Sequence, residues 1–231
     1  MALILNIETA TPVLSLALSR DGEIIASRHN DTQNRHAELI TVLIDEMMHT
    51  AKCVYDDLDA IAVSMGPGSY TGLRIGVSTA KGICYAKDIP LIAISTLQAM
   101  ALGMAREIQQ NDALYCPMID ARRMEVYDAF YDTDSREVRE VEATIVDEDT
   151  YAEKLKDQLV VFGGNGAAKC KELIKADNAV FIDDFEPSAE FIATLAEKAF
   201  EEKTFEDVAY FEPFYLKVFK AGKPRVKGLY D

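Results

Sequence analysis

The sequence predicts an α/β protein assembled twice over from one βββαβαβα unit. Three observations carry that expectation. Strand-like and helix-like periods alternate along the chain. Two apolar strands that end in an acid, "LILNIE" closing on Glu8 and "LYCPMID" closing on Asp120, each open the same order of elements. A glycine-rich turn then follows a later strand in each half, "MGPGSYTG" and "FGGNG". Repetition of pattern rather than of letters points to duplication of a sheet-plus-helices unit.

The elements follow in order. "LILNIE" is apolar and short, as a strand. Leu14, Leu16 and Leu18 alternate with Ser15, Ala17 and Ser19, the period of a half-buried strand. Asp21-Gly22 makes a hairpin turn, and "EIIAS" returns. From Arg35 to Ala51 the period becomes helical, with Leu39, Leu43 and Met47 in one row and Ile40, Ile44 and Met48 in another. That arc is wider than a single sheet needs, so a second buried face is expected. "LDAIAVSM" is a strand, and a helix runs from about Thr71 to Lys87. "IPLIAI" is the next strand, and "STLQAMALGMAREIQQ" a helix capped by Ser95 or Thr96. In the second half "EVYDAFYD" alternates, "REVREVEATIV" returns, and "LVVFGGNGAAKCKELI" reads as strand, glycine turn and helix. "NAVFID" and "SAEFIATLAEKAFEE" complete the unit as strand and long helix. The polar stretch "REIQQND" marks the boundary, giving domains 1–107 and 108–231, with the helix near 188–202 able to pack back on the first domain.

Composition bounds the function. A chain of 231 residues with 49% hydrophobic and 27% charged residues can bury a sizeable core. No apolar run approaches the ~20 residues of a membrane helix, and no basic-then-apolar leader stands at the start, so no membrane partner is expected and a cytoplasmic location is. Cys53, Cys84, Cys116 and Cys170 are scattered, as reduced buried thiols would be. His29, His36 and His49 form no metal-binding pair, and no metal site is expected. The formal net charge of −15 opposes binding to nucleic acid by the chain alone. The tail "LKVFKAGKPRVKG", with Lys217, Lys220, Lys223, Arg225 and Lys227, runs against that trend. It reads as a solvated terminus or as a basic arm for RNA or an acidic partner.

"GPGSYTGLRIGVSTAKG", Gly66 to Gly82, invites comparison with a phosphate cradle. The nucleotide motifs fail on spacing. Walker A needs a second glycine five residues on, where Gly66 meets Thr71 and Gly68 meets Leu73, and the dinucleotide fingerprint also needs glycine at Thr71. Lys81 lies over two turns into the helix and cannot return to the loop. Ser69 or Thr71 serves as the helix cap. Gly72, Gly76 and Ala80 fall on one flank, and each interior glycine costs a helix about 1 kcal/mol. Close approach by another backbone compensates. Packing on the chain's own sheet and packing on a partner both satisfy that requirement. On the second reading the interface comprises Leu39, Leu43, Met47, Gly72, Ile75, Gly76, Thr79, Ala80 and Ile83.

The glycine segment, with "IPLIAISTLQAMA" behind it, resembles the signature of the bacterial TsaB (YeaZ) family. "IDARRMEVYDAFY", "FGGNG" and "EPFYLK" resemble further segments of that family in the same order. The resemblance implies the duplicated actin/sugar-kinase/chaperone-ATPase-like fold and a role in making N6-threonylcarbamoyladenosine beside the anticodon of tRNAs reading codons that begin with A. It implies a subunit without catalytic residues, paired with TsaD and joined by TsaE, homodimeric when alone, and meeting tRNA only through the complex. No cofactor is expected on the chain alone, with ATP or ADP placed at the interface of the complex. Nucleotide-binding relatives carry glycine and hydroxyls after the first acid. Here Glu8-Thr9-Ala10-Thr11-Pro12 lacks the glycine, and Pro12 lacks an N–H.

Asp120, Arg122, Arg123 and Glu125 place four charges on one turn and strand start, either as exposed ion pairs or as a patch facing a cleft or partner. The competing expectations are an ATP-dependent kinase-like enzyme of the same fold and a peptidase acting on TsaD.

Overall fold

A computed structural model describes residues 2–31 and 35–217. The first half runs β1 (Leu3–Glu8), β2 (Leu14–Arg20), β3 (Glu23–Asn30), α1 (His36–Ala51), β4 (Ala60–Gly66), α2 (Tyr70–Lys87), β5 (Leu91–Ser95) and α3 (Thr96–Ile108). The second runs β6 (Leu114–Asp120), β7 (Glu125–Tyr131), β8 (Glu137–Ile145), α4 (Ala152–Asp157), β9 (Val160–Gly163), β10 (Ala179–Phe181) and α5 (Ala189–Glu201). The two five-stranded sheets share one order, β3-β2-β1-β4-β5 and β8-β7-β6-β9-β10. In each, the first strand pairs antiparallel with the second and parallel with the fourth. The duplication is therefore one of topology.

β1 is buried along its whole length because both its faces are covered. Leu3, Leu5 and Ile7 pack with Ile40 and Ile44 of α1 and Val77 and Ala80 of α2. Ile4 packs the other way, against Ile192 and Ala196 of α5. α3 turns Ala99 to that layer and Leu97, Met100 and Met104 to Tyr115, Ala129 and Val161 of the second sheet. α3 and α5 thus fill the space between the sheets. On the far side of the second sheet, Tyr151 meets the rings of Phe130 and Phe162 at 5.9 and 5.3 Å, and Leu155 of α4 closes the layer.

The second half departs from the expected pattern at one place. Where "GNGAAKCKELI" predicts a helix, only a 3-10 turn forms, Ala168–Cys170. Between Gly163 and Ala179 the chain forms successive short turns instead, with the N–H of Cys170 donating to Ala167 O at 2.9 Å and that of Ile174 to Cys170 O at 3.0 Å. The basic residues Lys220, Lys223, Arg225 and Lys227 lie outside the described residues; Lys217 lies within them. Among the described residues no helix is long and apolar enough to cross a membrane.

Candidate functional site

The glycine segment is built around the β1–β2 turn. A Cβ on Gly68 would lie 2.5 Å from the carbonyl oxygen of Ala10 and 2.9 Å from its Cα. One on Gly72 would lie 2.1 Å from the oxygen of Thr9, and one on Gly76 2.2 Å from Thr9 Oγ1. The backbone N–H of Ser69 donates to Ala10 O at 2.7 Å. Ser69, not Thr71, caps α2, its Oγ accepting from the N–H of Gly72 at 3.2 Å. Close approach is thus met inside the chain, by its own first turn.

The Thr9 and Ala10 N–H groups of that turn point inward, while the buried Thr9 and Thr11 hydroxyls have no partner among the described residues. Glu8 is fully buried, and its Oε1 accepts from the N–H of Ala10 at 2.6 Å. Burial pushes the Glu8 carboxyl up to about 7, against the pull of the Ala10 N–H, the Ser64 hydroxyl and the Thr9 N–H. The N–H of Thr9 points to Ser64 Oγ at 3.3 Å, and Pro12 has none to give. Gly68 is pressed on Ala10, and the Thr9 and Ala10 N–H groups are taken within the chain.

The second half repeats the relation. A Cβ on Gly164 (φ +107) would lie 2.4 Å from Met118 O, and one on Gly166 2.9 Å from the carbonyl carbon of Ile119. Each glycine turn therefore seals the end of the first strand of its own sheet. Between the two sealed ends lies a cleft of about 1060 Å³, bordered by Thr11, Pro12 and Tyr70 on one side and Asp120, Arg122 and Tyr127 on the other.

The charged turn at 120–125 is arranged differently from a local ion-pair cluster. Asp120 pairs with Lys169, and Glu125 with Lys217. Arg122 and Arg123 both hold left-handed backbone, φ +73 and +55. The N–H of Arg122 donates to Asp120 Oδ1 at 2.9 Å, which closes the turn and sets Arg122 on the cleft wall. Among the described residues no three His, Cys, Asp or Glu side chains gather as a metal-binding group.

The predicted interface divides in two. Met47, Gly72, Gly76 and Ala80 are buried in the chain's own core, so they form no outward surface, and Met48 is buried beside Met47. The physical reason is that α1 and α2 share one layer over β1, and the small flank of α2 faces Thr9. Leu39, Leu43, Ile75, Thr79 and Ile83 remain half-buried. Sequence reading missed Val42, 49% exposed, and Tyr85, 87% exposed, on the same two helices. Gly82, which the sequence sets with Ala86 on a flank neighbouring that of Gly72 and Gly76, lies where an added Cβ would meet nothing within 4 Å. Gly82 and Tyr85, one turn apart, were the available signal: a glycine and a large aromatic that the buried flank does not use.

Two lobes of identical strand order around a central cleft define the actin, sugar-kinase and chaperone-ATPase-like fold. A likeness of that kind appears in the activator of 2-hydroxyisocaproyl-CoA dehydratase from Clostridium difficile with bound ADPNP, at a TM-score of 0.51 and 11% identity over 87% of this chain and 96% of that one. YeaZ from Pseudomonas aeruginosa is nearer in shape, with a TM-score of 0.79 and 24% identity over 94% of this chain and all of that one (100%). A family model described as "TsaD: tRNA N6-adenosine threonylcarbamoyltransferase" matches residues 23–223. The tRNA threonylcarbamoyladenosine biosynthesis protein TsaB of Escherichia coli (strain K12) is 33% identical over 225 residues, covering 93% of this chain and 94% of that protein. TsaB of Bacillus subtilis (strain 168) is 30% identical, covering 94% and 95%. The chain belongs to the TsaB (YeaZ) family.

Proposed function

We propose that this chain acts in the biosynthesis of threonylcarbamoyladenosine in tRNA as a subunit without catalytic residues of its own, which binds and activates the transferase TsaD together with TsaE. Similarity to TsaB proteins over nearly the whole of both chains supports the process. The observation that carries the accessory role is the sealed first turn: Gly68 packs on Ala10, and the Ala10 N–H is held by Glu8. A fold whose phosphate turn is filled by its own backbone retains a frame for binding other proteins. The surface offered for that purpose is the outer side of α1 and α2, where Leu39, Leu43, Ile75 and Ile83 are half-buried and Val42 and Tyr85 exposed. Apolar side chains concentrated on two adjacent helices suit a helix-on-helix contact of about 1,600 Å², with TsaD or with a second copy when the chain is alone. tRNA would be met through the complex, and ATP or ADP would sit at the subunit boundary.

Reconstitution tests the reading. TsaD, TsaE, tRNA, ATP and threonylcarbamoyl-adenylate are combined with and without this chain, and modified adenosine is measured. Modification that depends on the chain is expected; equal yield without it would overturn the proposal. Titration calorimetry of the isolated chain with Mg-ATP separates this reading from a kinase, which would show saturable micromolar binding.

A further inference from the structure

Three features of the glycine segment are left over once the β1–β2 turn is accounted for: Gly66, Tyr70 and Lys81. All three meet the same piece of chain. After α5 the backbone runs without regular structure from residue 202 to 217. The N–H of Glu206 donates to Leu91 O at 2.8 Å, fastening the segment to the edge of β5. Lys81 Nζ donates to the carbonyls of Ala209 and Phe211 at 3.1 and 3.0 Å. The N–H of Phe214 donates to Met65 O at 2.7 Å. Gly66 holds φ +114, and a Cβ there would lie 2.7 Å from Phe214 O. The ring of Tyr215 lies on that of Tyr70 with centroids 4.7 Å apart. Lys217 then reaches the other lobe, pairing with Glu125 of β7 with its ammonium 5.8 Å from the centre of the Tyr127 ring.

We propose that residues 206–217 are a clasp that takes the place of a ligand in the cleft, holding the two lobes at one fixed angle. Phe214, Tyr215, Leu216 and Lys217 all border the cleft, beside Pro67 and Tyr70 of one lobe and Tyr127 of the other. A ligand that closes a two-lobed protein does so by bonding to both lobes at once. Here the chain's own segment makes both sets of bonds. The first set is backbone hydrogen bonding and ring contact on the α2 side; the second is one charge pair and one cation–ring contact on the β7 side. The clasp also seats on α2, whose outer side is the docking face argued above. The clasp itself rests on contacts within one chain, and it stands whether or not that partner reading does.

Hydrogen exchange on the full chain tests it. Wild type is expected to exchange slowly over 65–72 in one lobe and over 122–127 in the other. Lys217→Glu places like charges together and should speed exchange at least tenfold in both segments, with the thermal midpoint showing the lobes still folded. Glu125→Lys alone should do the same, and the double variant carrying both changes should return to the wild-type rates. Should Lys217→Glu not fold, Tyr215→Ala removes the ring contact on Tyr70 and is read in the same way. Faster exchange confined to 214–217, with both lobes unchanged, would overturn the proposal. So would a charge-swapped double variant that behaves no better than either single one.

Discussion

Gly72 of α2 sits so close to Thr9 that a Cβ would come within 2.1 Å of the Thr9 carbonyl oxygen. No side-chain rearrangement relieves a clash with backbone, so α2 or the β1–β2 turn would have to move. Gly72→Ala is therefore expected to lower stability by roughly 3 kcal/mol, at the upper end for overpacking a tight contact. Gly82→Ala lies in open space on the same helix and should raise stability by up to about 1 kcal/mol through helix propensity. Urea unfolding of both variants against wild type measures the contrast. Equal midpoints for the two variants would show that the turn and the helix are not in contact.

The same geometry decides which substitution can probe the partner face. Gly76→Arg would drive a side chain into Thr9 and unfold the chain, so a loss of pairing would mean nothing. Gly82→Arg and Val42→Arg point charge outward from α2 and α1, where Gly82 has open space and Val42 is 49% exposed. Each should leave the chain folded and weaken association at least tenfold by burying an unpaired charge in the contact. Co-purification with TsaD and sedimentation of the chain alone report it. Association that survives both substitutions places the interface elsewhere.

Glu8 gives the fold a pH dependence. Its carboxyl is raised from 4.5 to about 7 by burial, so the folded state keeps a proton that the unfolded state releases. Below pH 4.5 both states are protonated and the folded state carries no penalty. Between 4.5 and 7 stability falls as pH rises, and above 7 the loss is complete, at roughly 3 kcal/mol. Glu8→Gln keeps a carbonyl for the Ala10 N–H and has nothing to titrate. Urea midpoints from pH 5 to pH 8 should slope downward in wild type relative to Glu8→Gln. Parallel curves would remove Glu8 as the source.

Much of this architecture is legible in the sequence because period and burial are local. Leu14, Leu16 and Leu18 alternate with smaller residues, yet the half-buried strand this predicts is buried on both faces, because the start of α5 covers the other side, where the N–H of Ala189 donates to Ser15 Oγ at 3.0 Å. Gly72 and Gly76 of α2 announce a close neighbour, but the absence of a Cβ does not say which part of the protein arrives. Their neighbour is Thr9, sixty-odd residues earlier, so the flank read as a partner surface is interior. The acids of "DARRMEVY" have arginines at hand, yet Asp120 pairs with Lys169 and Glu125 with Lys217, far along the chain. Left-handed backbone at Arg122 and Arg123 shapes that turn, and no local pattern signals it in non-glycine residues. The helix expected after Gly166 is replaced by a 3-10 turn and further short turns, a difference in the last hydrogen bonds of a segment whose composition suits either.

Asp128 is the most heavily engaged charge in the second lobe, and its removal should be the most damaging polar change there. It is fully buried on β7 and accepts from Thr144 Oγ1 at 2.5 Å and Tyr151 Oη at 2.9 Å, while Arg139 of β8 pairs with it. The Arg139 guanidinium also lies 4.6 Å from the centre of the Phe130 ring, so it is held on two sides. Burial, with the charge of Asp128 added, pushes the neighbouring Cys116 thiol well up, which keeps it protonated. Asp128→Ala strands the two hydroxyl donors and leaves Arg139 facing a void; a loss of about 3–5 kcal/mol is expected. Arg139→Met keeps the stem packed on Phe130 but leaves the carboxylate buried without its cation, and should cost a similar amount. The double variant Asp128→Ala with Arg139→Met removes both charges and should be more stable than the sum of its single changes by at least about 1 kcal/mol. Thermal and urea unfolding of the four proteins completes the cycle, and strict additivity would mean that the pair contributes nothing as a pair.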